Sequence, residues 1–281
     1  EAYTTWISGF FLLVLVYYWH SELYLIDTFK LELENYEAII ISLLGIVLSW
    51  IFYDQICKSR IGKNTIILSI IVFLFITLLS FIYFKIFSGR GAFMQIGVIM
   101  GTIMVANVSM IIIPGQKKVV TSLIKGEKPN PIHGMNAKQR SLHNNYLTLP
   151  VIFIMLGGHY PMLFSTNFSW LIISLVIIIG TLIRHFFNSK HSRKGNKWWT
   201  WLVSLIIFLL IIFLTLLGRP NFEKNLVSHN FDPLIVDAAF EVADAHCSMC
   251  HTKNPSWNGF EDGYFAVVEP LEPVRWDQCC V

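Results

Sequence analysis

Long apolar runs, separated by short clusters of charge, set the pattern of this chain. A helix needs roughly 20 mainly apolar residues to cross a hydrocarbon core about 30 Å thick. About seven segments meet or approach that length, around 2–18, 37–53, 65–87, 93–114, 146–163, 168–187 and 198–217. The first two are short for spanning helices. Tyr17, Tyr18 and Trp19, then Trp50 and Tyr53, then Trp198, Trp199 and Trp201 gather at segment ends. Such aromatic residues favour the two membrane–water interfaces. The pattern predicts an all-α fold, a polytopic transmembrane bundle of about seven helices. No internal repeat and no low-complexity tract interrupts it.

The charges between the segments alternate in sign and number. Lys58, Arg60 and Lys63 follow the second segment, and Lys117, Lys118, Lys125, Lys128, Lys138 and Arg140 follow the fourth. Lys190, Arg193, Lys194 and Lys197 follow the sixth. The alternate connections hold Lys30, Lys85 and Arg90, with Glu22, Asp27, Glu32 and Glu34 around the first of these. Cytoplasmic loops carry the excess of Lys and Arg, so the basic side is expected in the cytoplasm. The segment after 217 is then expected in the periplasm, and the protein as a multi-pass component of a bacterial inner membrane.

Composition agrees with this reading. Hydrophobic residues make up 54% of the 281 residues and charged residues 14%, against about 25% charged in a soluble domain. Mean hydropathy is +0.58. The formal net charge of +3 is too small to argue for a nucleic-acid partner; the lipid bilayer is the expected one. The five cysteines, Cys57, Cys247, Cys250, Cys279 and Cys280, are odd in number and clustered toward the end, unlike a disulfide framework. The chain begins at Glu1 without an initiator Met or a signal-peptide n-region, and it reads as a fragment.

Past position 218 the character changes. Acidic residues predominate, and residues 219–233, with two prolines and several Asn, read as a linker. Asp232-Pro233 is a helix-start signal, and residues 234–281 are expected to form a short, incomplete cytochrome c-like domain. Its chemistry lies in Cys247-Ser248-Met249-Cys250-His251. Cys-x-x-Cys-His is the c-type haem attachment signature: Cys247 and Cys250 would bond the haem vinyl groups, and His251 would supply an axial nitrogen to iron. A thioredoxin-like dithiol, half a zinc site or chance are the alternatives. A redox dithiol does not need the His, and zinc would need a second ligand pair that the adjacent Cys279 and Cys280 do not supply. No Met follows Cys250 to serve as a distal ligand, which suggests a truncated or frame-disrupted end.

Two stretches resemble a known family. One runs through Gly101–Val108, Ile113–Val120, Ala137–Pro150, His159-Tyr160-Pro161 and Arg184-His185-Phe186-Phe187-Asn188; the other is Cys247–Phe260. Together they resemble the bacterial membrane urate hydroxylases, or cytochrome-type urate oxidases. Those proteins join a urate oxidase N-terminal membrane domain to a C-terminal cytochrome c. The resemblance implies that residues 1–218 are the membrane domain and that urate is hydroxylated to 5-hydroxyisourate. It further implies that electrons pass through haem c to a respiratory-chain acceptor. This chain lacks the family's upstream helix and the distal Met beyond the position of Phe260.

Ionisable groups in spanning helices are costly and often functional. Arg140, His143, Asn144 and Asn145 converge where the fifth segment enters the membrane and are the expected catalytic residues. With Tyr146 they offer the donors and the aromatic face that a planar purine anion would need. His159 and His185 are further candidates for a substrate or for an additional membrane cofactor such as haem b, although both also suit an interface. Asn107 is a neutral polar member of the fourth segment. Two rival functions remain. One is a non-catalytic membrane anchor for an electron-carrier cytochrome serving another dehydrogenase; the other is a transporter or structural domain with a vestigial cytochrome.

Overall fold

Side-chain caps mark where four of the long helices begin. In the computed structural model, residues 2–218 are described, save 29 and 194. Contacts divide the chain into Glu1–Pro220 and Asn221–Val281. The predicted linker, the predicted cytochrome and its Cys247, Cys250 and His251 all lie outside the described residues, as does Lys194 of the basic loops.

The bundle is built from α1 (Ala2–Leu13), running into a π-helical turn at Val14–Tyr18, and the short α2 (Ser21–Tyr24). Next come α3 (Asn35–Lys58), α4 (Thr65–Ile86) and α5 (Gly89–Ala106); a second π turn at Asn107–Ile112 joins α5 to α6 (Ile113–Ile124). Then follow α7 (Pro131–Gly157), a short α8 (Pro161–Phe164), α9 (Ser169–His191) and α10 (Trp199–Leu217). No strand occurs among the described residues. Glu34 and Glu37 close a capping box on α3, and the Asn64 side chain accepts from the backbone N–H of Ile66 and Ile67 to start α4. Each satisfies backbone donors that hydrocarbon would leave orphaned.

Among the described residues five helices are long and apolar enough to cross a membrane, and the protein is a multi-pass membrane protein. The predicted short second span is in fact the 24-residue α3. The first remains short, at Ala2–Tyr18. The fifth differs most from expectation. Asn130 caps a helix that starts at Pro131 and ends at Gly157, so Lys138 and Arg140, expected in a loop, are helical. Internal partners for the polar first half of α7 make that possible.

The bundle faces outward with its most apolar residues. On α3 the buried stripe is Ala38, Ser42, Ile46, Ser49, Tyr53 and Cys57, while Ile40, Leu44, Val47 and Leu48 are exposed. Lipid is as apolar as any core, so small and polar side chains mark the helix–helix interfaces. Where α7 meets α9, a Cβ added at Gly180 would lie 2.6 Å from Pro150 Cδ. Only glycine permits that approach, and it seats the Pro150-containing segment of α7 against α9.

Candidate functional site

Arg140 is where sequence expectation and structure meet most directly. It is 2% exposed, and its guanidinium donates to Asp54 Oδ1 at 2.7 Å and to Asn107 Oδ1 at 3.3 Å. The same group lies over the Tyr53 ring at 4.8 Å and the Trp50 ring at 5.9 Å. Asp54 also pairs with Lys58 at 2.5 Å. Burying a lone guanidinium in a membrane bundle would be prohibitive; an ion pair with further hydrogen bonds makes it tolerable.

From Arg140 the hydrogen bonds run in one direction. Arg140 can only donate, so Asn107 turns its oxygen toward it and its amide nitrogen away. Asn107 Nδ2 donates to Asn144 Oδ1 at 2.8 Å and to Tyr53 Oη at 3.1 Å. The Asn144 amide in turn donates to the Met104 carbonyl at 2.8 Å. Tyr53 Oη lies 2.7 Å from His143 Nδ1. Asn107 itself is fully buried and opens the π turn, a local widening of the helix often found at functional positions.

Of the four residues expected in catalysis, the structure brings Arg140, His143 and Asn144 into this network. Asn145, one residue further along α7, faces another neighbour. Its side chain accepts from Asn188 Nδ2 at 2.9 Å, and its carbonyl accepts from Arg184 Nε at 3.1 Å. Consecutive helical residues lie about 100° apart, so Asn144 and Asn145 tie α7 to different helices. Only His143 retains an unpartnered buried atom, Nε2.

His185 joins the neighbouring region. Its Nδ1 lies 3.1 Å from Tyr146 Oη and its Nε2 lies 3.0 Å from Lys197 Nζ. With His143, Tyr53 and Tyr146 it lines a groove of about 580 Å³ between α3, α4, α7 and α9. Most of the remaining wall is aliphatic or aromatic, including Ile66, Ile70, Phe73 and Ile178. His159 is elsewhere: it is exposed past the far end of α7, about 24 Å from His143 by helical rise.

Of these three histidines, His143 and His185 line the groove, and both nitrogens of His185 have side-chain partners. Among the described residues no group of three or more His, Cys, Asp or Glu is placed to hold a metal ion, and Cys57 is a buried free thiol. Sequence reasoning missed Asp54. Its signal was available: a carboxylate inside an apolar segment requires a partner, and Arg140 is that partner.

Comparison with known proteins adds one positive finding. The family described as urate oxidase N-terminal matches residues 1–215. No curated protein and no solved structure matches the chain.

Proposed function

The chain belongs to the urate oxidase N-terminal family, and from that premise we propose that it is a membrane oxidoreductase hydroxylating urate to 5-hydroxyisourate. The net change is the addition of one water oxygen at C5 of urate, with release of two protons and two electrons. The proposed acceptor is a c-type haem bound through Cys247 and Cys250 with His251 on its iron; these residues lie outside the described ones. Such a haem takes one electron at a time, and a respiratory-chain acceptor would take them onward. The support for this part is the Cys-x-x-Cys-His spacing alone.

The observation that carries the reading is the family match over residues 1–215. The geometry adds a constraint on roles. Arg140, Asn144 and Asn145 already have partners on neighbouring helices, so in this reading they hold the helices rather than clamp substrate. Arg140 orients Asn107 and Tyr53, and through them His143. The groove beside His143 has a largely apolar wall, a poor host for an anion bearing four nitrogens and three oxygens.

The test uses the full-length protein matured with c-type haem machinery. Added urate should reduce the haem without any other dehydrogenase present, and 5-hydroxyisourate should accumulate. A haem reduced only by another dehydrogenase, with urate untouched, would identify an anchored electron carrier instead.

A further inference from the structure

Two chains of hydrogen bonds end on the groove between α3, α4, α7 and α9, and each begins at a cation that can only donate. In the first, Arg140 donates to Asn107, whose amide then donates to Tyr53 Oη. The Tyr53 hydroxyl has its own proton to place, and His143 Nδ1 lies 2.7 Å away to accept it. Neutral His143 therefore carries its proton on Nε2, the buried atom without a partner. In the second, the Lys197 ammonium donates to His185 Nε2 at 3.0 Å. His185 then holds its proton on Nδ1 and donates to Tyr146 Oη at 3.1 Å. Tyr146 accepts that bond, and among the described residues its own O–H has no acceptor.

Both spare donors belong to residues that line the same groove of about 580 Å³. His143 and Tyr146 are three positions apart on α7, neighbours on one helix face. One is tied to Tyr53 on α3 and the other to His185 on α9, so they flank the groove from opposite walls. None of its lining residues is Lys, Arg, Asp or Glu, and an ionised ligand would find no counter-charge there. Tyr53 and Phe73 add aromatic rings to an otherwise aliphatic wall. Ile66 and Ile70 line it too, and both are exposed on the membrane-spanning α4, so the groove opens toward hydrocarbon. An apolar cleft of this size with a few convergent polar groups is the usual form of a small-molecule site.

We propose that this groove binds a membrane quinone in its oxidised form. Such a ligand is neutral and planar, enters from the bilayer, and carries two carbonyl acceptors on an otherwise apolar body. One carbonyl accepts from His143 Nε2–H and the other from the Tyr146 hydroxyl, while the tail lies along the aliphatic side chains of α4. The oxidised ring is preferred over the hydroquinone, because an Nε2–H has no lone pair to accept a hydroquinone O–H. Quinone binding here stands whether or not urate is the substrate.

The experiment titrates full-length protein in lipid nanodiscs with a benzoquinone bearing a decyl tail and labelled with carbon-13 at its carbonyls. Binding is read as a dissociation constant and as the infrared carbonyl stretch, which hydrogen bonds move to lower frequency than in lipid alone. Tyr146→Phe and His143→Leu should each weaken binding about fivefold or more, and each should release one shifted carbonyl band. Tyr146→Phe keeps the ring and removes only the hydroxyl, so it tests the donor even if His143→Leu fails to fold. Ser204→Ala, on α10 and outside the groove's lining, should bind as the parent does. Decylbenzene, with the tail but no carbonyl, should fail to displace the quinone. Equal binding of decylbenzene, unshifted carbonyl bands, or either folded variant binding as tightly as the parent would overturn the two-donor site and leave the groove to lipid acyl chains.

Discussion

The Arg140 guanidinium and the Asp54 carboxylate meet at 2.7 Å with side chains only 3% and 13% exposed. They join α7 to α3, and no other recorded ion pair among the described residues connects two helices. Around it are arranged Asn107, Tyr53 and, through Tyr53, His143.

Breaking that pair from one side should therefore be severe. Arg140→Ala leaves Asp54 with only the more exposed Lys58 as its partner and takes the donor from Asn107, and a loss of about 1–3 kcal/mol is expected. Thermal unfolding in detergent checks it. The double variant Asp54→Asn with Arg140→Ala should recover part of the loss, giving a coupling of at least about 1 kcal/mol against the two single variants. Strict additivity would mean the two residues do not act as a pair.

His143 separates two accounts of the chemistry. If the inner network serves only to hold the helices together, His143→Ala should leave urate consumption within about twofold of the parent. A loss of turnover at normal protein level and haem content would return catalysis to the inner network. Tyr53→Phe should behave similarly, while removing the hydroxyl that Asn107 and His143 share.

Gly180 tests the packing of α7 on α9. Because an added Cβ would fall 2.6 Å from Pro150 Cδ, Gly180→Ala should cost about 1–3 kcal/mol through forced displacement of the two helices. A lower melting temperature is the expected readout. Gly134→Ala is the control, since nothing lies within 4 Å of its added Cβ; it should be neutral or slightly stabilising.

Orientation rests on the distribution of Lys and Arg. A reporter that works only outside the cytoplasm should be active when fused after Gly218, and one that works only inside should be active near Lys125. The opposite pattern would place the Cys-x-x-Cys-His motif in the cytoplasm, where haem attachment would not follow.

Much of the candidate inner site was visible along the chain. Arg140, His143, Asn144 and Asn107 stand out as polar groups in or beside apolar runs, and three-dimensional contact does unite them. The grouping of Asn145 with them was less informative, because adjacent residues on a helix point to different partners. His143 and His159 looked comparable as membrane-edge histidines, yet His143 sits midway along α7 inside the network while His159 is exposed past its end.

The sequence by itself determined that the chain is helical and crosses a membrane, because apolar length is a sum over neighbouring residues and needs no knowledge of contacts. It likewise displayed the Cys-x-x-Cys-His spacing, which is local. What tertiary structure alone decided is which face of each helix meets which neighbour. In a bundle surrounded by lipid, outward and inward faces are both apolar, so hydropathy carries little information about rotation. Asp54 lies 86 positions from Arg140, and nothing along the chain links them. Only the packing of α3 on α5 and α7 turns those two charges toward each other.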